Sequence, residues 1–388
     1  SKVSRTSSKH SLKGKLYFAM STSRVVRGLL VGLLPILSIS FFCLAAEVAL
    51  RLYHLISEGI PFVERSGSNV RKISPYTIDS LLGWRATENY HGGREAKTSM
   101  GKSYTVNVSQ NQYGFRMFGD IKSPKVKVLT IGDSFTHATE VSDDKAYYAI
   151  MQHLLDIEMF AYGIGGAGTL QEFLIFDRYV HVIKPDIVLW QFCLNDFVNN
   201  SPELETVSTR NNNGMIRPYW VDGDIVYLLP KGRFAIFREF ASSYSRFLAA
   251  IIHRFDKLQA VNKNHSVEDD IVRDGFQHPG FLRAIQITDT LMGKVRARTG
   301  SIPILSFSCD GGEPYNKAFK QVSSHHDIIF LEGVGEQIQE QANNGLDLYA
   351  EDHAHWNENG HRIAGEFLAK LFRERVSLKP ASLMNDNR

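Results

Sequence analysis

Val126-Lys-Val-Leu-Thr-Ile-Gly-Asp-Ser-Phe-Thr136 is the stretch on which the fold turns. Its β-branched apolar run breaks off at Gly132-Asp133-Ser134. Such a run reads as a strand buried on both faces, as in a parallel sheet. Gly132 allows a sharp turn, and the carboxyl ends of parallel strands are where open α/β sheets form their crevices. A serine at that point aims its hydroxyl at whatever binds. The same residues also fit a strand followed by an ordinary Asp-Ser helix cap, so the remaining segments have to decide.

Downstream, apolar strands alternate with helical stretches. Val126–Ile131 is the first expected strand, with a helix near Tyr147–Leu155 after it. Met159–Tyr162 is a second strand, entering the turn Gly163-Ile-Gly-Gly-Ala-Gly168, and Thr169 is placed to cap a helix running to about Val182. Pro185–Phe192 is a third strand, ending at Leu194-Asn195-Asp196. Gly280–Thr299 reads as helix, Ile302–Phe307 and Asp327–Leu331 as the fourth and fifth strands, and Asn359–Phe372 as the last helix. This alternation predicts an α/β fold with a parallel sheet covered on both faces. Residues 197–275 break the rhythm and read as an insertion. They hold an Asn-rich loop, a hairpin around Asp222-Gly223-Asp224 and an amphipathic helix near Arg238–Phe255.

In a parallel sheet, Ser134, the Gly163–Gly168 turn and Asn195 share one edge. The fourth polar block is Asp352-His-Ala-His-Trp-Asn-Glu-Asn-Gly-His361. A serine hydroxyl is a poor nucleophile until a base takes its proton, and imidazole has the pKa for that task. The other ring nitrogen needs an acceptor that fixes the tautomer, and Asp352 lies three residues before His355. The amides of Ser134 and Gly166 and the side chain of Asn195 are candidate oxyanion donors, each typically worth about 2.7–4 kcal/mol in a barrier. His353, next to Asp352, is a rival base with less suitable spacing. A metal site drawing on His353, His355 and His361 lacks a second group of ligands. The glycine turn lacks the Lys-Ser/Thr ending of a phosphate loop. His137 reads as a helix-face residue. No cofactor and no metal are expected.

Taken in order, Gly132-Asp-Ser134, the Gly163–Gly168 turn, Leu194-Asn-Asp196 and Asp352-x-x-His355 resemble the four blocks of the SGNH (GDSL-type) hydrolases, over about 250 residues. His355-Trp-Asn-Glu-Asn-Gly-His361 also resembles the family's His-x-Asn-x-x-Gly-His ending. The resemblance implies a flavodoxin-like three-layer α/β/α sandwich and hydrolysis or transfer of acyl esters without a metal. It further implies Ser134 as nucleophile, His355 and Asp352 as base and acid, and Ser134, Gly166 and Asn195 as the oxyanion hole. The chain departs from the pattern at Ala161, where many members carry Asn, and at Cys193, where the third block usually begins with Gly. Residues around Leu82-Gly-Trp-Arg85 and Tyr113-Gly-Phe-Arg116 resemble, more loosely, extensions of membrane-anchored bacterial members. The expected substrate is an acyl ester, O-acetyl groups of a carbohydrate or a lipid ester among the classes considered. The competing reading is a catalytically silent anchored domain that scaffolds envelope polysaccharide machinery.

The rest of the 388 residues sets the location. Gly28–Ala46 carries no charge, and nineteen residues at ~1.5 Å each span roughly one hydrocarbon core. Lys2, Arg5, Lys9, Lys13, Lys15, Arg24 and Arg27 precede it without one acidic residue. That asymmetry predicts a cytoplasmic N-terminus and a catalytic domain on the extracytoplasmic, periplasmic side. A cleaved signal peptide is the alternative. Taking these seven from 44 basic residues leaves 37 against 41 acidic ones, so the body is mildly acidic and no nucleic-acid partner is expected. Cys43, Cys193 and Cys309 form no disulfide framework and read as small buried hydrophobes. The expected organisation is a basic tail at 1–23, a transmembrane signal-anchor at 24–50, a connector with a small β extension at 51–120, the hydrolase domain at 121–376 and a tail at 377–388.

Overall fold

The computed structural model describes residues 33–57, 62–63, 74–231, 240–241, 244–252, 254, 266–310 and 312–376. Both expected tails, the first residues of the signal-anchor and much of the expected helix near 238–255 lie outside them. The chain divides into two units, one of residues 1–70 with 233–262, the other of 71–232 with 263–388.

In the first unit, helix α1 (Leu33–Ser57) is 25 residues long and apolar enough to cross a membrane. It runs past residue 50, into what the sequence suggested was connector, because Glu47 and Arg51 form an i,i+4 ion pair at 2.6 Å that continues the helix. The Glu47 carboxylate also accepts hydrogen bonds from the Ser245 hydroxyl (2.8 Å) and the amides of Arg246 (3.1 Å) and Phe247 (2.8 Å). Helix 246–252 thus begins on a carboxylate supplied by α1, which satisfies amide groups that a helix start leaves open.

The second unit opens with two hairpins, β1 (Tyr76–Asp79) with β2 (Gly83–Ala86), then β3 (His91–Lys97) with β4 (Ser103–Ser109). The alternation of Tyr104, Val106 and Val108 announced β4. Next come β5 (Met117–Phe118), β6 (Lys127–Gly132), α2 (Ser134–His137), α3 (Tyr147–Leu155), β7 (Glu158–Gly163), α4 (Thr169–Ile183), β8 (Ile187–Phe192), α5 (Asn195–Asn199) and α6 (Pro202–Val207). The hairpin β9 (Arg217–Val221) and β10 (Asp224–Leu228) turns at Asp222-Gly223, as expected. The chain closes with α7 (Val267–Asp274), α8 (Pro279–Thr299), β11 (Ile304–Ser308), α9 (Tyr315–His325), β12 (Ile329–Phe330), α10 (Val334–Asn343) and α11 (Glu358–Arg375).

The central sheet has the order β12-β11-β8-β6-β7-β5. All neighbours are parallel except β5, which pairs antiparallel with β7. The sheet is therefore mostly parallel, with one reversed edge supplied by the connector. Along β8, Ile187 and Leu189 face the core under α3, α10 and α11, while Val188, Trp190 and Phe192 face the core under α4, α8 and α9. Helices on both faces bury every position of the strand, so its sequence is apolar at all positions but Gln191 rather than alternating. Thr169 does not cap α4. It is the first helical residue, and its hydroxyl donates to Asp196 (3.3 Å) while accepting from Asn200 (3.0 Å).

Candidate active site

The carboxyl ends of β6, β7, β8 and β11 lie along one edge, and each delivers a polar group to the same cleft of about 970 Å³. At the end of β6, Asp133 caps α2 by accepting from the Phe135 amide at 3.0 Å. Ser134 is the first residue of that helix. A side chain at Gly163 is excluded, since its Cβ would lie 2.1 Å from the His137 amide nitrogen. Glycine there allows β7 to pass directly beneath α2.

The Ser134 hydroxyl lies 2.9 Å from Nε2 of His355. The other ring nitrogen, Nδ1, lies 2.5 Å from Oδ2 of Asp352. Oδ1 of Asp352 accepts from the amides of Ala354 and His355, each at 3.0 Å, so the carboxylate also folds the loop that carries the imidazole. The imidazole packs against Phe135, with ring centroids 5.3 Å apart. Burial pulls the His355 pKa down, but the hydrogen bond and charge of Asp352 outweigh it, and the net shift is upward. Burial likewise works against the Asp352 carboxylate, yet His355 and the two amides lower it to about 2. Asp133, fully buried, is pushed up chiefly by burial. A hydroxyl, an imidazole held in one orientation and an ionised carboxylate in that order form a relay for proton transfer.

Ser134, Gly166, Asn195 and His355 line the same cleft. Gly166 has φ +66°, and a Cβ there would lie 2.5 Å from the Asn213 side chain. Its carbonyl accepts from Arg217 Nη2 (2.6 Å) and Asn213 Nδ2 (3.2 Å), so its peptide plane is held from behind. Arg217 is buried and paired with buried Glu205 at 3.3 Å, which in turn accepts from the Tyr219 hydroxyl. Asn195 opens α5. Its Nδ2 donates to the Ala167 carbonyl and to Asn199 Oδ1, both at 3.2 Å.

Other expectations sort differently. His353 lines the cleft in a left-handed conformation (φ +58°) but is not the partner of Ser134. His361 is buried, stacked parallel to Tyr147 at 6.0 Å and accepting the Tyr147 amide at 3.3 Å. Among the described residues, His353, His355 and His361 do not gather as a ligand set. His137 is fully buried rather than on an open helix face, and its ring bridges Tyr76 (2.8 Å) and Gln110 (2.5 Å). Ala161 is buried in the sheet, paired across to Met117 and Thr130. Cys193 and Cys309 are buried, whereas Cys43 on α1 is only partly so.

Sequence reading missed what the connector contributes. Tyr76 and Trp84 line the cleft. The Trp84 indole donates to the Gly165 carbonyl at 3.1 Å, and Arg217 lies 4.6 Å over its ring. Buried Arg116 holds the far end of α2, donating to the carbonyls of His137, Ala138 (2.6 Å) and Val141 (3.2 Å) and to Asp143 (3.0 Å). The only hints were aromatic and arginine residues clustered around glycine. Asn199, Arg210, Asn211 and Asn213 also line the cleft.

Comparison with known proteins identifies the family. Residues 130–363, more than half of the chain, match the GDSL-like lipase/acylhydrolase family. No curated protein matches. Solved structures similar to the chain include an acetylxylan esterase from Geobacillus stearothermophilus (15% identity, 67% of this chain and 99% of the other, TM-score 0.37). A lipase/acylhydrolase from Enterococcus faecalis is similar at 14% identity (66% and 100% covered, TM-score 0.35). So is a psychrotrophic esterase from a Pseudoalteromonas species (11% identity, 64% and 97% covered, TM-score 0.35). With the family's span covering β6 through α11, the chain belongs to the GDSL-like lipase/acylhydrolase family of ester-bond hydrolases.

Proposed function

We propose that this protein is a membrane-anchored serine esterase in which Ser134 is the nucleophile, His355 the general base and Asp352 its orienting carboxylate. The observation that carries the reading is the continuous contact from the Ser134 hydroxyl through the His355 ring to Asp352. Ser134 Oγ bonds to the ester carbonyl carbon as His355 Nε2 takes its proton. The negative charge on the carbonyl oxygen falls to the amides of Ser134 and Gly166, and to the Asn195 side chain once one of its two N–H groups turns from Ala167 or Asn199 towards the cleft. Collapse breaks the ester C–O bond, and the imidazolium returns the proton to the departing alcohol. The acyl-enzyme is then cleared by water or by a second hydroxyl, with His355 again taking the proton.

The cleft walls favour a polar alcohol. Asparagine side chains and Arg210 line it together with Trp84 and Tyr76, a mixture of hydrogen-bonding groups and flat rings suited to sugar hydroxyls and ring faces. A neighbouring cavity of about 600 Å³ beside Asp352, lined by Tyr90, Arg94 and Lys97, offers room for more of such a chain. An O-acetylated carbohydrate is therefore the proposed substrate class. α1 is proposed to remain as a transmembrane anchor, with the catalytic unit on the extracytoplasmic side. Glu47 supports retention, since cleavage of α1 would strip helix 246–252 of its starting carboxylate.

Ser134→Ala is expected to abolish turnover of a small chromogenic acetyl ester while the thermal transition is kept. Unchanged turnover defeats the assignment. A fluorophosphonate probe should label the wild type and not the variant, whereas a silent scaffold stays unlabelled in both.

A further inference from the structure

Cys193 is the residue that departs from the family's third block, and the fold gives it company. β8 and β11 run parallel with Phe192 opposite Ser308, so Cys193 and Cys309 are the next residues on adjacent strands. Asp310 follows at once. Its Oδ2 lies 2.9 Å from Cys193 Sγ and 3.7 Å from Cys309 Sγ, and the three ligand atoms are all within 4.8 Å of one another.

These separations suit one cation. Zn–S near 2.3 Å and Zn–O near 2.0 Å at tetrahedral angles put S and O about 3.5 Å apart and two sulfurs about 3.8 Å apart. The observed S–O distances bracket the first figure. Outer contacts also resemble those of a built site. The Leu194 amide donates to Asp310 Oδ2 at 2.9 Å, and Gln191 Nε2 donates to Cys309 Sγ at 3.7 Å, leaving both ligands oriented. No Lys or Arg among the described residues forms an ion pair with Asp310, and Asp133 is close enough for the two carboxylates to repel. The thiols are nearly closed off, at 5% and 4% exposure, but Cys193 and Asp310 border the cleft that holds Ser134 and His355. A fourth coordination position therefore faces that cleft.

We infer that Cys193, Cys309 and Asp310 form a binding site for a thiophilic divalent cation of the zinc class, at the rim of the active site. Binding releases two thiol protons to solvent, forms two metal–sulfur bonds and one metal–oxygen bond, and involves no change of oxidation state. An occupied site lies directly before Leu194-Asn195 and depresses ester turnover.

The test uses the full chain and bare Co2+ or Zn2+, with Ser134→Ala as the binding background, so that its outcome does not depend on the esterase reading. Co2+ is expected to give a thiolate charge-transfer band that Zn2+ displaces. Loss of an outer-shell contact alone costs roughly 10–100-fold in affinity. Cys193→Ser, Cys309→Ser and Asp310→Asn are therefore each expected to weaken binding more than about tenfold, with Asp310→Asn, near-isosteric and at a partly exposed position, guarding against misfolding. Asp289→Asn, which breaks the other cluster of metal-capable side chains among the described residues, Asp289 with His325 and His326, should leave the band intact. Absence of the band in the parent, or its persistence in the Cys193→Ser/Cys309→Ser double variant, overturns the site. In the active enzyme, Zn2+ should inhibit the wild type and spare that double variant. Equal inhibition of both overturns the site's link to turnover.

Discussion

His355 and His361 stand six residues apart at the entrance to α11, and the fold treats them in opposite ways. His355 keeps one ring nitrogen on a carboxylate and the other on the Ser134 hydroxyl. His361 lies between Tyr147 and Trp356 with no carboxylate in reach, and burial lowers its pKa to about 3. Both are substantially buried. Desolvation alone makes an imidazole a neutral packing group, and desolvation with a paired carboxylate makes it a base. The pattern Asp-x-x-His separates the two already in the sequence.

The strongest way to break this contrast is to remove each ring. His355→Ala is expected to lower kcat roughly 10⁴–10⁶-fold with little change in melting temperature. His361→Gln is expected to cost stability first and activity less than about tenfold. If the two variants lose activity equally, the contrast is wrong.

Asp352→Asn comes next, with an expected loss of about 10³–10⁴-fold. It also sharpens the contrast through pH. With His355 as the proposed base its neutral form is the active one, and its pKa is raised above the usual 6.5, so the acid limb of kcat/KM should lie above that value. Without the carboxylate, burial dominates, and the limb should move below it. A limb that stays in place excludes Asp352 as the cause.

Stability gives a third, smaller test. His355, raised, adds stability that is full below the unfolded value and is lost as pH rises through its folded pKa. His361 and His137, both lowered to about 3 by burial, add stability that is present above about 6.5 and lost as pH falls towards 3. Each of the latter contributes on the order of a few kcal/mol, so denaturant unfolding should show stability falling on acidification from pH 6.5. His361→Gln should flatten that slope. Least in size, Arg116→Met should cost about 1–3 kcal/mol by orphaning the carbonyls behind α2. A turnover loss beyond that caused by unfolding would mark Arg116 as positioning Ser134.

The sheet was legible because strands buried on both faces leave long apolar runs, and because each run stops at glycine or a polar block. β6, β7 and β8 were found within two residues of their limits for that reason. β12 keeps only two of the five expected residues, and α9 and α10, whose apolar stripes are short, were not marked at all. The line from Ser134 to Asp352 was legible because its members sit at strand ends or inside one loop. Tyr76, Trp84, Arg116 and Asp310 were not. Their roles depend on contacts across tens of residues, such as Trp84 with Gly165, that no local spacing encodes. Thr169 was misread as a cap because its hydroxyl serves Asp196 instead.

The chain leaves the catalytic unit at residue 232, visits the unit of α1 and returns at 263. If α1 is the anchor proposed above, the hold of Glu47 on residues 245–247 ties the catalytic unit to it a second time, besides the covalent link before Ser74. A protease that nicks only the stretch between Ser57 and Ser74 would leave this second tie in place, and shedding of the active unit would require two further cuts, one on each side of residues 245–247.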